Sequence, residues 1–456
     1  MSIKILDSTL REGEQHPGVR FSADDKIHLI QLLEEFHVDY IEIGHPAISP
    51  EDAEICKKAA QAARKAEILM HARAVPEEIK ATQQAGAHWV GIWASINPLS
   101  LTTKFRGKDK SDIAKRVIQS IEYAKQLDLK VRFTIEDASR TEWEDIQFLA
   151  SLAVGAGADR ISLADTTGVW EPYQCAQTIK TAVDNFPCEI EVHLHNDFGL
   201  ATANALAAIE AGASVIDTSI LGIGERSGIV DLLQLAVILQ EKRADTRFSL
   251  EQIPLLSQAV QMTTHHRPDS LRPITGRHAF THTATYHRKA VSVQPESYEA
   301  FEPTLVGRTR QILERPTSVI SKLPCRLQIG KPFPKGSSEL KYHTDGPGKR
   351  WVLMDHRVDS RTSLYAIKRF FNGEEPERHV DQHVHNCDSV FIFWGENKDG
   401  TGLTCAVQFD GEEKIIHSPA SIFIPSGVEH SYYYIEGKGT YTNIVLAPEY
   451  HQSLAE

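Results

Sequence analysis

Short apolar runs alternate with longer amphipathic stretches over the first 245 residues. The runs expected as strands are Ile3–Asp7, Val38–Gly44, Ile68–Arg73, Trp89–Ala94, Lys130–Glu136, Arg160–Ala164, Glu189–His195 and Val215–Ile220. Between most of them lie helical patterns such as Asp24–Phe36, where Ile27, Ile30, Leu33 and Phe36 recur on one face. Eight strands interleaved with helices predict an α/β fold, a (β/α)8 TIM barrel. No GxGxxG turn follows the first strand, which argues against a doubly wound open sheet.

Polar residues fall where such a barrel places chemistry, at the strand C-terminal ends. DSTLREGEQ sets Arg11 and Glu12 just after the first strand. EVHLHNDFG ends the seventh with His193 and His195, two residues apart and so on one side of it. One carboxylate and two imidazoles form a ligand set for a divalent metal, with positions left for substrate and water. Zinc, manganese, magnesium and cobalt all suit this set. Arg11 can meet an anionic ligand there. Arg132, Thr134 and Glu136 share a face of the fifth strand, Glu42 ends the second, and His71 and Arg73 end the third. Asp165 and Thr166 follow the sixth.

Beyond residue 245 the alternation stops. Residues 246–318 combine a helical stretch, Leu250–His266, with proline breaks and read as a linker subdomain. Residues 319–456 read as an all-β domain of short strands: Trp351–Asp355, Ser363–Phe371, Ser389–Trp394, Leu403–Phe409, Ser421–Ile424 and Tyr441–Leu446. A chain of 456 residues with 41% hydrophobic and 24% charged residues suits a globular protein of two or three domains. A net charge of −12 argues against nonspecific nucleic-acid or acidic-membrane binding. No apolar run approaches the roughly 20 residues that span a bilayer. Six scattered cysteines without CxxC spacing suit a reduced, cytoplasmic setting.

DSTLREGEQ, VDYIEIGHP, RFTIEDASR, LADTTG, HLHNDFGLATANALAAIEAGA and LGIGERSG follow the order of the DRE-TIM metallolyases. Over about residues 1–310 the chain most resembles homocitrate synthase and its isopropylmalate, citramalate and phosphonomethylmalate synthase relatives. The resemblance implies an acyltransferase condensing acetyl-CoA with a 2-oxo acid, a 2-oxoglutarate-like dianion first, followed by thioester hydrolysis. It gives the metal to Glu12, His193 and His195, and the developing alkoxide to Arg11. Thr166 matches a residue holding the 1-carboxylate, with Gln15 near the same end. His71, Arg132 and Thr134 match positions for the distal carboxylate, and Glu136 a carboxylate near the acetyl group. AFTHTATYH resembles AFTHKAGIH and QPESYE resembles NPxTYE, aligning His287 and Tyr298 with a catalytic histidine and tyrosine. In the family this pair enters the other subunit's site, which implies a homodimer with exchanged linker subdomains. Asn196 and Asp197 are expected to orient the metal histidines, and Glu225 with Arg226 to shape the loop after the eighth strand.

QHVHNCDSVFIFWGE and SIFIPSGVEH resemble the two motifs of cupins. They align His383, His385 and His430 as a possible second metal set on a small β-barrel. The glutamate usual after HxH is missing, with Asp388 and Ser389 standing there. Two other readings remain: a retro-Claisen or retro-aldol lyase on the same metal, and a degenerate barrel carrying a ligand-sensing cupin. The loop LGIGERSG lacks the cysteine of hydroxymethylglutaryl-CoA lyases, which weakens the first. The intact barrel set argues against the second.

Overall fold

The computed structural model describes residues 3–264, 266–314, 329–336, 340–359, 362–447 and 450–454. They fall into two compact units, Met1–Arg315 and Pro316–Glu456. The boundary expected between residues 318 and 319 lies outside the described residues, as does Cys325.

Eight parallel strands close the first unit into a barrel: β1 Lys4–Asp7, β2 Tyr40–Glu42, β3 Glu67–Ala72, β4 Trp89–Ala94, β5 Lys130–Ile135, β6 Arg160–Asp165, β7 Glu189–Leu194 and β8 Val215–Thr218. Closure comes from β1 against β8, in register from Lys4 opposite Val215 to Asp7 opposite Thr218. The helices start where the sequence supplies caps. Ser22 accepts the Asp25 N–H at the head of Ala23–Glu35, and Asp109 does the same for Asp112 before Lys110–Gln126. Their apolar faces and the outward strand residues, such as Ile41, Ile68, Val131 and Val192, make the main core.

The inward residues are different. At the N-terminal end of the barrel lie Leu6, Tyr40, Leu69, Trp89 and Val215. Above them a charged layer replaces the usual aliphatic filling. The guanidinium of Arg160 stacks over Tyr40 and Trp89 at 4.2 and 4.3 Å and binds Glu191 at 2.9 Å. Glu191 meets Arg132 at 3.4 Å, and Arg132 meets Glu42 at 2.9 Å. All four are buried.

The segment expected as a separate subdomain shares the barrel's core. Phe248, Leu256 and Val260 on and before helix Ile253–Thr264, with Phe280 and Val306, belong to the same buried cluster. A two-residue pair, β9 Thr281–His282 with β10 Gln311–Ile312, ties its far end together.

In the second unit β11 Phe333–Pro334, β12 Lys349–Met354, β13 Tyr365–Asn372, β14 His383–Val384, β15 Ser389–Gly395, β16 Leu403–Phe409, β17 Glu412–His417, β18 Ala420–Ile424 and β19 Glu429–Val445 pair antiparallel around β19. β19 is 17 residues long. Its first half pairs with β14 and β16, its second with β13 and β15. The change of partners falls at Gly437, where a Cβ would lie 2.1 Å from the Gly402 carbonyl oxygen, so only glycine allows this approach. The sequence shows only the second half as a strand, because EGKG reads as a turn.

Breaking the charged layer should be costly. Arg160→Leu leaves Glu191 with the long Arg132 contact alone, and a loss of about 3–5 kcal/mol is expected, read as a lower midpoint for barrel unfolding. Lys414→Ala breaks only the exposed pair with Glu412 and should leave that midpoint unchanged.

Candidate active site

The barrel opens at its C-terminal end into a cavity of about 310 Å³. Glu12 reaches it from the short helix Thr9–Glu12 after β1, His193 from the end of β7, and His195 from just beyond that strand. Their ligand atoms lie within 4.8 Å of one another, and all three residues are buried. The Nε2 atoms of the two histidines are 3.2 Å apart. His193 Nδ1 donates to Asp217 Oδ2 at 2.6 Å, which turns the Nε2 lone pair toward the cavity. Burial disfavours the imidazolium at His193, but the Asp217 carboxylate outweighs it and raises the pKa. Burial, then the neighbouring His193, lowers His195 to about 3. Glu12 stays ionised: burial opposes the charge, yet Arg11 and the two histidines hold its pKa below the usual range. A buried carboxylate beside two imidazoles, all open to a cavity, fits a divalent ion.

Arg11 joins this group to the charged layer beneath. Its guanidinium binds Glu12 and also Glu42, the latter at 2.8 Å. Glu42 therefore touches Arg11, Arg132 and the Nδ1 of His71, at 3.2 Å. Burial chiefly lowers His71 to about 4, so the neutral ring donates Nδ1–H to Glu42 and keeps Nε2 as an acceptor. Arg132 is 2% exposed, and its Nε has no partner among the described residues. Gly91 gives it room, since a Cβ there would sit 2.6 Å from Arg132 Nη2.

The remaining barrel candidates all reach the cavity. Gln15, Thr134, Glu136 and Thr166 line it together with Arg11, His71 and Arg132. The buried Thr134 Oγ1 has no partner among the described residues, Thr166 Oγ1 accepts the Asp137 N–H at 2.8 Å, and Glu136 is held by Lys104 at 2.5 Å. His287 and Tyr298 stack on each other, ring centroids 3.8 Å apart. Both are solvent-exposed, and neither lines the barrel cavity of its own chain.

Several sequence expectations change. Asp217 rather than Asp197 or Asn196 orients a metal histidine: Asp197 is held by Arg226 at 2.8 Å, and Asn196 Oδ1 accepts the Ala201 N–H. Arg73 lies past β3, exposed, paired with Glu78. Asp165 accepts the N–H groups of Val169 and Trp170. Asp217, Glu191 and Arg160 escaped sequence reading although their inward register on β8, β7 and β6 was available. Trp93, on the register of Gly91, was missed in the same way and lines the cavity.

The second unit brings His383, His385 and His430 within the same 4.8 Å limit, all buried. Their Nδ1 atoms are committed: His383 to the Asp381 carbonyl, His430 to the Val428 carbonyl and His385 to Ser453 Oγ, each at 2.8 Å. Ser453 Oγ spends its own proton on the Tyr450 carbonyl. Every ring therefore carries its proton on Nδ1 and turns a lone pair inward. Burial lowers all three, His385 to about 3 and His430 to about 4, so they are neutral. Asp388 accepts the Ser426 N–H instead of joining them.

Residues 2–260 match the family model described as HMGL-like, and residues 274–321 the one described as homocitrate synthase post-HMGL domain-like. The chain is 42% identical over 308 residues to a protein named homocitrate synthase from Pyrococcus horikoshii, covering 68% of this chain and 85% of that one. It is 37% identical over 315 residues to a homocitrate synthase from Saccharolobus islandicus, covering 68% of each. A hydroxymethylglutaryl-CoA lyase from Pseudomonas aeruginosa shares the barrel fold, with a TM-score of 0.53 at 21% identity over 58% of this chain and 94% of that one. Fold, site and matched model define an HMGL-like barrel enzyme of the transferase type. Within that class the chain belongs to the homocitrate synthase family. Among the described residues no helix is long and apolar enough to cross a membrane.

Asp217 gives a test that separates orientation from simple packing. Asp217→Asn should weaken metal binding about 10- to 100-fold, measured by competition with a chromophoric chelator. Asp197→Asn should leave it unchanged.

Proposed function

We propose that the barrel condenses acetyl-CoA with a 2-oxo acid carrying a second anionic group, 2-oxoglutarate first, and then hydrolyses the thioester. The observation that carries this reading is the cavity itself, which Glu12, His193 and His195 line together with Arg11, His71, Arg132 and Thr134. A divalent ion held by Glu12, His193 and His195 supplies Lewis acidity to the keto carbonyl. Thr166 and Gln15 hold the 1-carboxylate end. The free Nε–H of Arg132 and the Thr134 hydroxyl are the donors left for the distal carboxylate. A base removes a proton from the acetyl methyl group, its carbon bonds to the keto carbon, and Arg11 stabilises the alkoxide that forms. His287 and Tyr298 supply the proton transfer from a second copy of the chain, in keeping with their exposure and their absence from their own cavity. Glu136, held by Lys104, stands near the acetyl group. Water then cleaves the thioester, releasing CoA and a 2-hydroxy acid.

A homodimer in which the segment carrying His287 and Tyr298 reaches the other copy's cavity is the assembly this scheme requires. A reduced, cytoplasmic setting is consistent with the free thiols of Cys56, Cys175, Cys188 and Cys405. The second unit adds a cupin-like metal site at His383, His385 and His430. For the lyase alternative, residues 220–229 after β8 contain no cysteine.

A thiol-release assay over a panel of 2-oxo acids tests the proposal. Dianionic acids should outperform pyruvate and 2-oxoisovalerate, and a chelator should abolish turnover reversibly. Arg132→Met should raise KM and lower kcat/KM for 2-oxoglutarate. His287→Ala and Tyr298→Phe should each lower kcat by roughly 10²-fold, and mixing His195→Ala with His287→Ala chains should restore part of the activity. Preference for pyruvate, or full turnover after metal removal, would overturn the proposal.

His71 adds a pH signature. The neutral ring is an acceptor at Nε2, so a dianion whose distal carboxylate also bonds His71, beside Arg132 and Thr134, takes up a proton there. Burial first, then the cations Arg11 and Arg132, lower its pKa against the opposing pull of Glu42, and the His45 ring lies edge-on to it at 6.0 Å. Affinity for 2-oxoglutarate relative to pyruvate should therefore fall from about pH 5 to about pH 8. His71→Asn should flatten that ratio, measured by calorimetry of the metal-loaded protein.

A further inference from the structure

Two of the three grouped histidines of the second unit, His383 and His385, line a small cavity of about 20 Å³. Its lining is mainly aromatic and aliphatic, with no carboxylate among the residues that form it. Two phenol oxygens there, on Tyr365 and Tyr432, are buried and lack partners among the described residues. Both residues are 2% exposed. A third lining group, His343, is fixed by charge. Arg350 Nη2 donates to its Nδ1 at 3.1 Å, which leaves Nε2–H as the donor end of a neutral ring. Arg350 itself is 4% exposed, its Nε has no partner, and it makes no ion pair among the described residues. The buried carboxylate Asp355 is already held by Arg357 at 2.7 Å.

A buried guanidinium without a carboxylate partner raises the positive potential around it, and Arg350, which stands behind His343 rather than in the lining, carries that potential to the cavity through the ring. Three neutral imidazoles leave the full charge of any divalent ion they hold, which adds to the same potential. We infer that this cavity binds a small carboxylate of one to three carbons, with one end toward the three histidines and the other toward His343, Tyr365 and Tyr432. The inference rests on the reading of His383, His385 and His430 as a metal set and goes beyond it by assigning the ligand. Size sets the limit: so small a space admits few heavy atoms beside an ion, which excludes a tricarboxylic product of the barrel. The His343–Arg350 pair makes the site select for negative charge, because each donor facing the cavity needs an acceptor.

The test uses the full-length chain with His193→Ala and His195→Ala, so that the barrel retains no imidazole ligands. Cobalt(II) is added, and its visible spectrum is followed during titration with acetate, then with the neutral isostere acetamide. One cobalt per chain, lost in His430→Ala, is expected. Acetate should shift the spectrum saturably, with acetamide at least tenfold weaker. Arg350→Met should keep the cobalt and weaken acetate at least tenfold. Tyr432→Phe, which removes only an unpartnered hydroxyl, should weaken acetate severalfold and gives the answer if Arg350→Met does not fold. Equal responses to acetate and acetamide, or unchanged acetate affinity in both variants, would overturn the carboxylate assignment while leaving the metal set standing. No cobalt bound at all would overturn the metal set, and the assignment with it.

Discussion

The barrel depends on one chain of alternating charge through its interior: Arg160, Glu191, Arg132, Glu42, Arg11 and Glu12. Each inner carboxylate bridges two guanidiniums, and no member could remain buried alone. Three cations against three anions leave the chain neutral. A divalent ion at Glu12 adds positive charge that Glu12, already paired with Arg11, and Asp217 behind His193 offset only in part. A dianionic ligand would offset that charge, so the proposed preference for two anionic groups rests on the whole chain of charges rather than on Arg132 alone. The same chain holds Arg11 in place from both sides before any substrate arrives, which is the preorganisation an alkoxide-stabilising group needs.

Most of the barrel was legible because its strands obey a simple rule. Outward residues are aliphatic, and the runs are short and separated by helical periods. The positions of Glu12, His193 and His195 followed from strand ends. What the sequence hid was the interior. Glu191, Arg160 and Asp217 sit on inward registers, yet a charged residue in a strand is ordinarily read as solvent-facing. Their partners lie 24 to 59 residues away, so no local pattern reveals the pairing. Asp197 looked like the orienting residue because it neighbours His195 in sequence. The loop instead turns it toward Arg226.

In the second unit the same limits act on strands. β17 is exposed on nearly every residue, so it carries no alternation to detect. β19 hides its first half because the glycines that let it change partners look like turn residues. The three histidines were legible as a motif, but their protonation was not. That depends on Ser453, 68 residues from His385, and on two backbone carbonyls.

The two histidine sets therefore differ in kind. In the barrel, Glu12 contributes a negative charge directly and Asp217 makes His193 a stronger donor by accepting its Nδ1 proton. An ion there is partly neutralised by the protein. In the second unit the acceptors behind the imidazoles are neutral carbonyls and a hydroxyl, and no carboxylate stands among the ligands. Metal affinity should be lower, and the pull on an external anion stronger. Arg350 reinforces that pull instead of opposing it. A chain that carried the second site only as a structural element would gain by placing a carboxylate beside Arg350, since that would satisfy the guanidinium permanently. Arg350 makes no ion pair among the described residues, which is what a site awaiting an anionic ligand requires.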